Sequence, residues 1–178
     1  MLSNPSQLLL RNLTEINSGK LLIVNNEPDD VIAQVLNELP ELDISSFTYN
    51  YAVYNANKRA SSSTHLFGHL FESNEKFDCI VLYHPKEKAL FDYLTQHLAH
   101  FLSEDGILLI VGDNKGGIKT AAKRIKSHNF LSQKVDSARH CTLLATHLDS
   151  EPSAFNFDDW LQSFSIKVNN TDMDIISL

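Results

Sequence analysis

The sequence predicts an α/β fold: a doubly wound, mostly parallel sheet with an antiparallel element near the C-terminus. Three runs, at 20–24 (KLLIV), 77–84 (FDCIVLYH) and 106–112 (GILLIVG), are almost continuously apolar, the pattern of strands covered on both faces. Each is followed by apolar residues at helical spacing. Strand-like runs therefore alternate with helix-like segments of roughly 10 to 15 residues, which implies crossover helices between parallel strands.

In chain order, LLRNL from Leu9 reads as a short helix, and 20–24 is the first strand, bounded by Gly19 and Asn25-Asn26. Pro28 can occupy a first helical turn with Asp29 and Asp30 near its positive end. Val31, Ile32, Val35, Leu36 and Leu39 form the buried stripe that Pro40 ends. Segments 47–53 and 65–71 are expected strands, separated by the polar loop NANKRASSS. After the strand at 77–84, a helix over 86–101 carries Leu90, Leu94, Leu98 and Phe101 on one face. After the strand at 106–112, Ile118, Ala121, Ala122 and Ile125 give another helical stripe, opposite Lys119, Lys123 and Lys126. Residues 140–148 form the last expected strand, and the whole is a Rossmann-like arrangement. From Asp149 the composition turns polar, so a domain over 1–150 is expected, followed by a C-terminal segment over 151–178. In that segment Phe155, Phe157, Trp160, Leu161 and Phe164 are an apolar set expected to pack on the domain, with 160, 161 and 164 on one helical face.

A chain of 178 residues, 43% hydrophobic and 21% charged, can bury a full core without disulfides or a structural metal. No apolar stretch approaches the roughly 18 to 20 residues of a membrane span, and MLSNPSQLLLRN has neither a basic start nor a small-residue cleavage site. Cys79 and Cys141 lie in apolar runs, which fits reduced thiols. A soluble cytoplasmic chain without a membrane partner is expected. The net charge is −7, but positions 115–139 hold seven cations against Asp136 alone, so the remainder carries −13.

The turn after the first strand of such a sheet usually meets a nucleotide, through glycines at a helix N-terminus. Here it reads VNNEPDD, without glycine and with Glu27, Asp29 and Asp30. The expectation is no cofactor site in this chain, with Asp29 and Asp30 as ordinary caps. GDNKGGIKT at 112–120 nearly spells a phosphate loop, but Ile118 displaces Lys119 and Thr120 by about 100° around the helix they open. His65 and His69 on a strand would stand some 13 Å apart, and His97 and His100 have no Cys or carboxylate at ligand spacing, so no metal is expected. Asp136, Ser137 and His140 are close in sequence, whereas a catalytic triad draws on separate elements. No catalytic residue is assigned. One candidate site remains, the cationic set Lys115, Lys119, Lys123, Arg124 and Lys126, either an ordinary solvated helix face or a contact for RNA or a partner domain.

The blocks MLSNPSQLLLRNL, LYHPKEKALFDYL, IVGDNKGGIKTAAKRI and QKVDSARHCTLL resemble the N-terminal half of the small-subunit ribosomal RNA guanine-N2 methyltransferases of the C type, over almost the whole chain. The resemblance implies a degenerate class I methyltransferase fold. It also implies that S-adenosylmethionine binding and methylation of 16S rRNA belong to a C-terminal catalytic copy, which carries a glycine-rich turn and an Asn-Pro-Pro-Phe motif. At those places this chain has VNNEPDD and LYHPKEK, so His84-Pro85-Lys86 keeps one proline and no asparagine, and no catalytic residue carries over. The expected role is support of that catalytic domain, with ribosomal RNA or the small subunit as a further candidate partner. The rivals are a free-standing methyltransferase or nucleotide-binding enzyme, and a pure scaffold. The chain is expected to be a fragment cut near a domain boundary.

Overall fold

In a computed structural model, residues 1–16, 19–169 and 171–177 are described. Among them, helices α1 (Asn4–Arg11), α2 (Val31–Glu38), α3 (Tyr51–Ala60), α4 (Lys88–Ala99) and α5 (Ile118–Ile125) surround strands β1 (Lys20–Val24), β2 (Asp43–Thr48), β3 (Thr64–Phe67), β4 (Phe77–Tyr83), β5 (Leu102–Asp113), β6 (Phe130–Ala138) and β7 (Cys141–Leu148). These strands form one sheet in the order β3-β2-β1-β4-β5-β7-β6. The first five are mutually parallel, while β7 runs antiparallel to both β5 and β6. A separate hairpin joins β8 (Gln162–Val168) to β9 (Thr171–Ser177).

The continuous apolar runs are explained by burial on both sides. Leu22 and Val24 of β1, Ile80 and Leu82 of β4, and Leu108 and Ile110 of β5 pack with Phe91, Leu94 and Leu98 of α4 and Ile118, Ala121 and Ile125 of α5. The alternate residues Leu21, Ile23, Cys79, Val81, Leu109 and Val111 pack with Leu8 and Leu9 of α1 and Val31, Ile32 and Val35 of α2. Successive strand side chains point to opposite faces, so each run is apolar at nearly every position, with the partly buried Lys20 and Asp78 near the strand starts as exceptions.

Four expectations are corrected. The pattern at 47–53 is not one strand: Asn50 accepts hydrogen bonds from the amides of Ala52 (2.9 Å) and Val53 (3.4 Å) and caps α3, so most of NANKRASSS is helical. Pro28 lies before α2, whose N-cap is Asp30. An edge strand was missed, because β6 is polar and half exposed, and Arg139 and His140 (φ 51° and 64°) form the turn into β7 rather than its start. The helical face at 160, 161 and 164 does not exist; Phe157–Trp160 is a single 3₁₀ turn and Phe164 lies in β8. Phe155, Phe157 and Trp160 do pack on the core of the main sheet, with Phe155 4.3 Å from the His97 ring and Trp160 5.7 Å from Tyr93. No described helix is long and apolar enough to cross a membrane.

Candidate functional site

The strand order reverses between β1 and β4, and open α/β sheets receive ligands at the carboxyl ends of strands beside such a switch. Here the β1 turn is occupied with itself and with the N-terminus. Asn25 adopts φ 57°, its amide donates to the Phe47 carbonyl (2.9 Å), and its side chain donates to the Tyr83 carbonyl (3.2 Å). The Asp29 amide donates to the Glu27 carbonyl (2.8 Å). The Asp29 carboxylate accepts from the amides of Val31 (3.1 Å) and Ser3 (2.9 Å). Asp29 is therefore a cap as expected, whereas the Asp30 side chain makes no cap bond. Asn26, 2% exposed, forms a reciprocal amide pair with Asn57 of α3, 2.9 Å in each direction.

What remains of the crevice is a cleft of about 90 Å³ between Pro5, Asn25, Glu27, His84, Lys86 and Gly112. His84 fills its floor, packed 4.6 Å from the Phe91 ring. A Cβ on Gly112 would stand 2.8 Å from the His84 Cβ, so the close approach of β5 to His84 requires glycine. Burial pushes the His84 imidazole down to about 4, and its Nδ1 has no hydrogen-bond partner among the described residues. Small-molecule sites usually enclose about 300 to 1,000 Å³; this cleft is smaller, and its charged lining is Glu27, Asp113 and Lys86.

The cationic set is divided by the fold. Lys115, Lys119, Lys123 and Lys126 are exposed. Arg124 turns onto α4, where its guanidinium pairs with the Asp92 carboxylate alongside His128 (3.4 Å). Gly117, at φ 100°, opens α5 in the left-handed region that favours glycine. The histidine pairs separate too: His65 bonds Ser46 Oγ (2.8 Å), His97 donates from Nε2 to the Phe71 carbonyl (2.7 Å), and His100 donates to the Ser153 carbonyl (2.9 Å). Asp136 faces Arg11 (3.2 Å) and Asn12 (2.9 Å) rather than His140.

Two features escaped the sequence reading. A cavity of about 760 Å³ opens at the carboxyl ends of β2 and β3, between these ends, α4 and the 3₁₀ turn at Trp160. Beside it the rings of Tyr51, Tyr54 and Phe67 cluster at 5.4 to 6.0 Å. The aromatic density of FTYNYAVY was the available signal, hidden by its reading as a strand. The second is the β8–β9 hairpin, whose paired residues Phe164 and Ile175, then Ile166 and Met173, alternate with Ser165 and Asp174, then Lys167 and Asp172. One face is thus apolar, and Phe164 and Met173 are each about half exposed.

The sheet order, with its antiparallel β7 beside β5, defines the Rossmann-like methyltransferase fold. Solved structures agree: a Thermus thermophilus 16S rRNA N2 G1207 methyltransferase, in complex with AdoMet and guanosine, superposes with a TM-score of 0.75 at 16% identity, over 99% of this chain and 46% of that one. A ribosomal protein L11 methylase from Lactobacillus delbrueckii superposes at 0.64 and 15% identity, over 82% of this chain and 78% of that one. The family model described as methyltransferase small domain N-terminal matches residues 6–164. The chain belongs to that family. It is similar to the ribosomal RNA small subunit methyltransferases C of Shewanella amazonensis (34% identity) and Shewanella sediminis (33%), over 100% of this chain and 52% of each relative. It therefore spans about half the length of the curated relatives it matches.

Proposed function

We propose that this chain is the non-catalytic N-terminal half of an S-adenosylmethionine-dependent 16S rRNA guanine-N2 methyltransferase, a cytoplasmic enzyme whose C-terminal half binds the cofactor and performs the transfer. The observation that carries this reading is the turn 25–30, where the amides of Asn25, Asp29 and Val31 are all bonded internally and Glu27 faces the remaining cleft. The residues present do not fit the cofactor, so no step of methyl transfer is assigned to them.

The supporting role falls to residues 151–178. An isolated two-stranded hairpin is marginal in water, and one apolar face asks for a covering surface. The family match ends at residue 164, inside β8, and the relatives contain about as much chain again. We assign the Phe164, Ile166, Met173 and Ile175 face to contact with the catalytic half. The 1–150 domain then acts as a rigid buttress, and Lys115, Lys119, Lys123 and Lys126 add a cationic face toward ribosomal RNA.

Calorimetric titration with S-adenosylmethionine tests the first part: no saturable heat is expected, and micromolar affinity would overturn it. For the second, the separately produced C-terminal half of the Shewanella amazonensis relative is expected to bind this chain, and to lose most of that binding on Ile166→Asp with Met173→Asp. Binding unaffected by that pair of changes would remove the hairpin from the interface.

A further inference from the structure

The 760 Å³ cavity is built differently from the closed crevice. Phe47 and Tyr49 at the end of β2 and Phe67 at the end of β3 contribute rings from the sheet, and Tyr93 of α4 and Trp160 contribute rings from the far side. Tyr49 and Phe67 are 37% and 50% exposed, so rings that could have been buried face the opening. Glu87 and Asp159 are the charged side chains in the wall, and the exposed Lys88 lies in the chain between the lining residues Glu87 and Ala89.

We propose that this cavity takes an unstacked nucleobase of single-stranded RNA. A flat π system is what several convergent rings hold best. The two carboxylates accept hydrogen bonds from the imino and amino groups of a base edge, and they disfavour a phosphate or carboxylate inside. An aliphatic guest would use neither carboxylate. The sugar-phosphate strand is left at the mouth, where Lys88 is exposed. Burial pushes the Tyr93 phenol up to about 12, and burial together with the Glu87 charge does the same for Tyr49; both rings stay neutral stacking surfaces at physiological pH. A base paired in a duplex cannot enter, because its faces are already stacked. The inference deepens the RNA-contacting part of the reading above and is independent of the lysine face of α5.

Trp160 is the one tryptophan of the chain, so a base stacking in the cavity reports itself by quenching tryptophan fluorescence. The intact chain is titrated with a short single-stranded RNA of mixed sequence, with the same strand annealed as a duplex, and with free guanosine and adenosine. Saturable quenching by the single strand and not by the duplex is expected. Phe67→Ala and Tyr49→Ala should each weaken it about fivefold or more, while Phe67→Tyr, which keeps the ring, retains it. Free nucleosides that quench as tightly as the strand would support the base-binding site and name nucleosides as its source. Lys119→Glu with Lys123→Glu and Lys126→Glu should leave the quenching constant within about twofold at fixed salt, which separates failure of this site from failure of the cationic face. Equal quenching by the duplex, or Ala variants that bind like the parent, would overturn the proposal. So would displacement of bound RNA by the C-terminal half of the Shewanella amazonensis relative, since the cavity would then be a seat for that domain.

Discussion

The hydroxyls of Ser6 and Tyr83 lie 2.8 Å apart in the buried core, joining the N-terminal helix to the end of β4, 77 residues away. Both groups are essentially inaccessible to water; the Tyr83 hydroxyl is satisfied by Ser6, whose own hydroxyl also accepts from the Ser3 hydroxyl (3.0 Å). Burial pushes the Tyr83 phenol far above its ordinary range, which keeps it a neutral partner. Removing the Ser6 hydroxyl should cost about 1 to 3 kcal/mol by stranding that of Tyr83, and removing the Tyr83 hydroxyl should cost less, because Ser6 keeps its bond with Ser3. Ser6→Ala with Tyr83→Phe should therefore cost less than the sum of the single changes. Urea unfolding of the four proteins measures this, and additive costs would mean the two hydroxyls do not act as a pair.

Acid should destabilise the fold earlier than its carboxylates alone would. His84 and His97 are both held below the ordinary imidazole value of 6.5 by burial, and His84 reaches about 4. A group whose folded value is depressed binds its proton more readily when unfolded, so stability is intact above pH 6.5 and falls as pH drops toward about 4. Melting temperature recorded across that window should decline, and His84→Gln should flatten part of the slope. An unchanged slope would assign the acid sensitivity elsewhere.

Truncation after Asp149 should lower stability, because Phe155, Phe157 and Trp160 cover Tyr93 and His97. The tail is also tethered by the Asn129 side chain, which donates to the Glu151 carbonyl (3.1 Å). Three half-buried rings amount to about 3 kcal/mol, a fall in Tm of roughly 6 to 12 °C for a chain of this size. A shortened protein that melts with the parent would show the tail to be energetically idle.

Binding of ribosomal RNA through the cationic face should weaken steeply with salt and show little base preference, since phosphate contacts release counterions. Lys119→Glu, Lys123→Glu and Lys126→Glu together should reduce the logarithmic salt slope by about one unit per lost contact on duplex-like RNA. Ile118, Ala121 and Ile125 stay buried under α5, so the fold should survive. An unaltered slope would leave the lysines as a solvated face.

The Asp92–Arg124 pair gives a contrasting case, in which a residue of the cationic set acts structurally. With both side chains partly exposed, Asp92→Ala should cost no more than about 1 kcal/mol, and by freeing Arg124 it should strengthen RNA binding slightly. A loss of several kcal/mol in urea unfolding would show the pair to be a buried anchor instead.

The legible parts of this molecule were those whose signal is local. KLLIV, FDCIVLYH and GILLIVG read as strands covered on both faces, because nearly every residue in them is buried. VNNEPDD excluded a glycine cradle through its own residues. The polar edge strand β6 and the helix α3 were not legible, for opposite reasons. One lacks the apolar alternation that marks a half-buried strand, and the other begins with an alternation that Asn50 interrupts as a cap.

By itself the sequence determined the parallel core, the alternation of strands and helices, and the acidic turn, since periodicity and the absence of glycine act over a few residues. Only the tertiary structure decided what long-range neighbours decide. Arg124 left the exposed cationic set because Asp92, 32 residues earlier, lies opposite it. The Asp29 carboxylate took its second donor from Ser3, 26 residues away. The aromatic cavity exists because Tyr49, Phe67, Tyr93 and Trp160, scattered over more than a hundred positions, meet at one end of the sheet. Chain connectivity and side-chain packing, not local spacing, bring such groups together.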